Sequence, residues 1–132
     1  MKQVVRADEQ VYSGYFIGVN TREGSATCEN GETATVNSYA VWDQIWHKEC
    51  FKEGYTIFTF KDFSKMIMKN KLTQIPDPKG EAEWIWDGTA EIIKGTIQFN
   101  GIKGSGSFKG KQLFPDKKSI NEWTITFTLP PK

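Results

Sequence analysis

Apolar and polar residues alternate with a period of two along much of this chain. Over 81–94, Ala82, Trp84, Trp86, Gly88, Ala90 and Ile92 stand against Glu83, Ile85, Asp87, Thr89, Glu91 and Ile93. Over 120–129, Trp123, Ile125, Phe127 and Leu129 oppose Glu122, Thr124, Thr126 and Thr128. Successive side chains of a strand point to opposite faces, so each pattern predicts a strand with one buried face. Turn residues at short intervals bound eight such strands, over 10–19, 24–29, 32–47, 54–61, 64–75, 81–94, 104–114 and 120–129. Asn30-Gly31 predicts a type I′ hairpin, which needs positive φ at both central residues. Pro76-Asp77-Pro78-Lys79-Gly80, Pro115-Asp116-Lys117-Lys118 and Pro130-Pro131 end strands. Helical spacing competes only at Trp42, Ile45, Trp46 and Cys50, before Gly54.

Eight mostly adjacent antiparallel strands predict one all-β domain over 1–132, a closed eight-stranded up-and-down barrel, because closure removes exposed sheet edges. The hairpin at Asp62-Phe63 sets a register. With those residues as its loop, Thr59 faces Met66 and Ile57 faces Met68. Tyr55, Ile57, Thr59, Met66, Met68, Asn70 and Leu72 then share one face, and Lys65, Lys69 and Lys71 the other, with Phe58, Phe60 and Ile67. Lysines choose solvent, so the first set is expected inside.

The stretch from Gly95 to Gly110 holds five of the chain's 12 glycines. Gly104, Gly106, Phe108 and Gly110 share one strand face. Glycine weakens a strand unless the space it leaves is needed. Facing Trp84 and Trp86, these glycines either receive large side chains or help wall a cavity. Tyr39, Tyr55, Ile57, Met66, Met68, Asn70, Trp84, Trp86, Phe108 and Trp123 are the candidate ligand-binding residues, with Tyr39, Tyr55 and Asn70 as polar contacts.

Composition narrows the function classes. A chain of 132 residues is long enough for a single core without metals or disulfides. A net charge of +1 argues against nucleic-acid binding. Residues 1–10 lack an apolar signal-peptide core and no run is long enough to span a bilayer, so no membrane partner is expected. The expected location is cytoplasmic; a secreted chain with its signal removed reads the same way. Cys28, Cys50 and the lone His47 are too few to hold a metal, and no cofactor is expected. The two cysteines are read as reduced, although an oxidising compartment would permit their pairing.

Lys94-Gly95-Thr96-x-x-Phe99-x-Gly101-Ile102-Lys103-Gly104-Ser105-Gly106 resembles the GTG-x-F-x-G-(I/A)-x-G-x-G signature of the allene oxide cyclase-like and dirigent-like barrels. Ser38-Tyr39-Ala40-Val41-Trp42-Asp43 and the segment from Gly54 to Asp62 are similar to parts of their bacterial members. The resemblance spans roughly residues 24 to 114. It implies a closed antiparallel barrel, lipocalin-like in appearance, whose lumen holds a mostly apolar small molecule. It also implies cyclase or isomerase chemistry by conformer selection in some members, and none in others. Their catalytic residues have no matching motif here. Ile97 stands where the signature has glycine, and Asp62-Phe63 where these barrels usually have Asp-Gly, both positions that call for positive φ; the expectation is either a changed turn or a pair of apolar residues at the cavity rim.

Candidate catalytic groups are sparse. His47 titrates near neutral pH but has no nucleophile placed beside it by motif. Asp43, sharing a face with Tyr39 and Val41, is the better candidate for a luminal acid, while Asp87 is expected outside. Phe58, Phe60 and Ile67 on a lysine-bearing outer face suggest a homo-oligomer, a dimer or trimer. Three function classes follow: a cyclase or isomerase acting on a small hydrophobic molecule, a non-catalytic carrier or sensor, and a filled barrel serving as an oligomeric interaction module.

Overall fold

The computed structural model describes residues 2–12, as backbone only, and residues 14–45, 48–113 and 118–131. Eight strands follow one another: β1 (Lys2–Tyr12), β2 (Tyr15–Thr27), β3 (Thr33–Ile45), β4 (Cys50–Phe60), β5 (Lys65–Pro76), β6 (Trp84–Gly95), β7 (Lys103–Gln112) and β8 (Ser119–Thr128). One 3-10 turn, Ile97–Phe99, interrupts the path from β6 to β7. The strands form a single antiparallel up-and-down sheet in the order β1 to β8, joined by seven ladders. The all-β expectation holds. The closed sheet does not: among the described residues no ladder joins β8 to β1, so these two strands are the sheet's ends.

The sheet is nonetheless strongly rolled. Phe58 of β4 meets Trp123 of β8 edge-on at 5.5 Å, although three strands separate them in the sheet order. Rolling requires close backbone approach, and glycine provides it. A Cβ on Gly54 would overlap the Tyr39 carbonyl oxygen of β3, and one on Gly106 would overlap that of Thr124 in β8. The inner face carries the core: Ala34, Val36, Phe58, Met66, Met68, Trp86, Ala90, Ile92, Phe99, Ile102 and Phe108 are buried together. A one-residue shift between Ile67 and Met68 leaves Ile93 of β6 without an opposite residue, so Ile92 and Gly95 both stay buried.

Two boundary expectations fail. The segment 10–19 is split at the turn before Tyr15, where Gly14 has φ +81°, and β2 runs through Gly24 to Thr27. Residues 20–23, left between two predicted strands, are strand residues. The helical alternative over 42–50 also fails, since Trp42 and Ile45 lie in β3 and Cys50 opens β4; Trp46 lies outside the described residues.

The hairpin registers account for the largest correction. At Asp62 the loop has three residues, with Thr59 opposite Lys65 and Phe58 opposite Met66. The Phe63 amide donates to the Phe60 carbonyl (3.0 Å), the Asp62 carboxylate accepts from the Ser64 amide (3.0 Å), and Phe63 takes φ +67°. This is a type I turn closed by a left-handed residue. The extra loop residue shifts β4 by one and exchanges its faces. Thr56 and Phe58 therefore point inward, while Tyr55 and Ile57 share the outer face with Lys65, Ile67 and Lys69. The Asn30-Gly31 hairpin uses the same geometry. Gly31 alone has positive φ there (+88°), and its amide donates to the Cys28 carbonyl, so the type I′ turn is not formed.

Candidate functional site

Rolling without closure leaves a cleft on the inner face, about 2000 Å³ in volume. The second half of β2 and the start of β3 wall one side, and β8 walls the other. Val36, Phe58, Met66 and Met68 line its depth, with Trp123, Ile125 and Phe127 along the β8 side. Arg22, Glu23, Asn30 and Glu122 add polar groups. Beside it lies a smaller inner cavity of about 70 Å³. Arg22, Ser119, Asn121 and Trp123 border both spaces.

The aromatic wall is built by strand alternation. Trp86, Phe108 and Trp123 fall on inward positions of β6, β7 and β8, and Phe108 lies directly opposite Trp123. Their rings stack at 4.3 Å with planes 24° apart. Trp86 Nε1 donates to Asn121 Oδ1 at 2.7 Å, which satisfies the indole of a buried tryptophan. The glycines do face this wall, and their space is used. Phe108's ring occupies the position a Cβ on Gly88 would take, and a Cβ on Gly110 would come within 2.5 Å of Trp86 Nε1. Large-against-small packing accounts for Gly110, while Trp84 stands opposite Gln112 rather than a glycine.

Two shielded polar atoms without partners border the inner cavity. Thr56 is 1% exposed, and its Oγ1 has no hydrogen-bond partner. Asn70 Oδ1 is likewise shielded and unpartnered. Asn20 and Gln74, both buried, border the same space with Leu72. In the cleft, burial pushes the Cys28 thiol up from its usual range and the Glu32 charge adds to the shift. That thiol stays protonated at neutral pH, the wrong state for a nucleophile. Cys28 and Cys50 are both free thiols, so they do not pair.

The predicted site residues divide. Tyr39, Tyr55, Asn70, Trp86, Phe108 and Trp123 all border the inner cavity, while Met66, Met68 and Trp123 line the cleft. Tyr39 and Tyr55 lie on the outer face, opposite each other and each 46% exposed, so they are not lumen polar contacts. Ile57 and Trp84 border neither space, Ile57 because of the shifted β4 register. Asp43 is also outer, not a luminal acid: its carboxylate accepts from the Tyr15 hydroxyl at 2.8 Å and borders a separate groove of about 540 Å³. His47 lies outside the described residues. Phe58 and Phe60 face the core rather than solvent, so they cannot serve as an outer contact. Thr56, Phe58, Asn20 and Gln74 were missed; Phe58 and Thr56 become legible once the loop is counted as three residues.

Phe63 and Ile97 take left-handed backbone, at φ +67° and +53°. They border none of the three spaces and are 76% and 64% exposed, so the rim role is not seen. Their loops are tied together, with the Lys65 amide donating to Thr96 Oγ1 (3.0 Å) and the Gln98 amide to Ser64 Oγ (3.3 Å). Left-handed backbone at a bulky residue costs about 1 kcal/mol, and the loop bonds hold it there. Phe63→Gly is expected to raise stability in chemical denaturation and leave ligand affinity unchanged; a loss of stability would show that the Phe63 ring makes packing contacts outweighing the strain.

Among the described residues, no three His, Cys, Asp or Glu side chains are grouped to hold a metal, and no helix is long and apolar enough to cross a membrane. No family model, curated protein or solved structure matches this chain.

Proposed function

We propose that this protein binds a small hydrophobic molecule in the cleft on the inner face of its rolled sheet. The carrying observation is the cleft itself, about 2000 Å³, with Val36, Phe58, Met66 and Met68 in its depth and Trp123 in its wall. Burying apolar ligand surface against such side chains is favourable by about 25 cal/mol per Å². In this proposal the chain is an allene oxide cyclase-like or dirigent-like barrel, and β8 meets the β1–β2 end over the ligand to complete the closed eight-stranded form. Any catalysis is of the cyclase or isomerase kind, in which the walls select one conformer and supply effective molarity. The carrier or sensor alternative draws support from the protonated Cys28 thiol, which offers no covalent step. Association into a homo-oligomer would use the outer apolar side chains of β2–β4, Val19, Tyr39, Val41, Phe51 and Tyr55, all of them exposed.

Intrinsic tryptophan fluorescence and thermal melting against a panel of apolar small molecules test the binding proposal. Quenching is expected, since Trp123 borders both spaces. At a ligand concentration of 100 times Kd the folded state gains about 2.7 kcal/mol, an easily measured rise in Tm. Mass spectrometry of the bound compound then separates conversion from carriage. A panel that changes neither fluorescence nor Tm leaves the filled-barrel interaction module as the better account.

A further inference from the structure

We propose that the ligand carries a neutral hydroxyl head, which enters the inner cavity and is held between Thr56 and Asn70, while its apolar tail lies in the cleft. The proposal rests on the cleft being the ligand site, and it adds the chemistry of one end of the molecule. Buried polar atoms nearly always find partners, and leaving one without costs stability. Thr56 Oγ1 and Asn70 Oδ1 break that rule on the wall of one cavity, and Thr56 is 1% exposed. Thr56 stands opposite Met68, and Asn70 is the next inward residue of β5, so the two are diagonal neighbours across one ladder.

Their chemistry selects the head. An amide oxygen only accepts, whereas a threonine hydroxyl both donates and accepts. An alcohol can donate to Asn70 Oδ1 and accept from Thr56 Oγ1 at once. A carboxylate has no proton to give, and an ammonium has no lone pair to receive. The size agrees: the cavity is about 70 Å³, against a liquid volume of about 30 Å³ for one water. That admits a hydroxyl and its adjoining carbon, which would lie among Leu72, Trp86 and Trp123. The shared border at Ser119, Asn121 and Trp123 sets head and tail spaces side by side.

Octan-1-ol and 1-methoxyheptane have the same number of heavy atoms and differ in whether the oxygen can donate. Binding of each is measured by tryptophan fluorescence with wild type, Thr56→Val and Asn70→Leu. Wild type is expected to prefer the alcohol by about tenfold or more, the effect of one buried hydrogen-bond pair left unmade. Both substitutions should bring the two affinities to within about threefold, and Thr56→Val, close in shape and free of the orphan hydroxyl, should fold as well as wild type. Equal affinities in wild type would overturn the head assignment and leave the cleft proposal standing, with water as the cavity's occupant. So would a preference for the alcohol that survives both substitutions. Failure of both compounds to bind would remove the cleft proposal and the head assignment together.

Discussion

Phe58→Ala is expected to destabilise the fold by about 3–5 kcal/mol, whereas Ile57→Ala, one residue earlier in β4, should cost about 1 kcal/mol or less. Phe58 is 8% exposed, packs in the main core and meets Trp123 at 87° between ring planes. Removing it opens a cavity beneath both β5 and β8, and the tertiary environment of Trp123 changes with it. Ile57 stands opposite Ile67 on the half-exposed outer face. Urea unfolding followed by tryptophan emission gives both numbers. A larger loss at Ile57 than at Phe58 would mean that the hairpin has the two-residue loop and that β4 presents its other face. The consequence reaches function, because in that register the Thr56 side chain would turn away from the inner cavity and that of Tyr55 would point into it.

The contrast shows where the chain's pattern was readable and where it was not. The inward faces of β5, β6 and β8 were legible because lysines, glutamates and threonines alternate with Met66 and Met68, Trp86 and Ala90, Trp123 and Ile125. β4 offers no such contrast: Tyr55, Ile57 and Thr59 alternate with Thr56, Phe58 and Phe60, and either face can pass as core. Its orientation hangs on one loop residue. Residue type hid the turn, since a type I turn closed by a left-handed residue usually carries glycine at its third loop position and here carries Phe63. Positive φ is found at both Phe63 and Ile97. At the other end of the chain, the polar run Asn20-Thr21-Arg22-Glu23 shows no apolar alternation, so the predicted strands stop on either side of it although β2 runs straight through. Closure was the least legible feature. It depends on whether the two end strands meet, a property of accumulated twist and roll over seven ladders rather than of any one segment.

Roll can itself be tested at the glycine that permits it. Gly54→Ala is expected to cost about 3 kcal/mol or more, although it adds a single methyl group. The added Cβ would overlap the Tyr39 carbonyl oxygen and lie 2.8 Å from the Ala40 Cα, backbone atoms that no rotamer change can move aside. Relief requires β4 to lift away from β3 at the point where Gly54 pairs with Ala40 on one side and Asn70 on the other. Gly31→Ala is the matched control. Its Cβ would meet nothing within 4 Å, so its cost is only the positive-φ strain at +88°, about 1–2 kcal/mol. Opening β3 from β4 would also widen the inner cavity that Asn70 and Thr56 border, so Gly54→Ala should weaken octan-1-ol binding more than Gly31→Ala does. Equal melting temperatures for the two variants would mean that β3 and β4 have room between them. The rolled sheet would then owe its curvature to β7 and β8, where Gly104 and Gly106 meet the carbonyls of Thr126 and Thr124 in the same way.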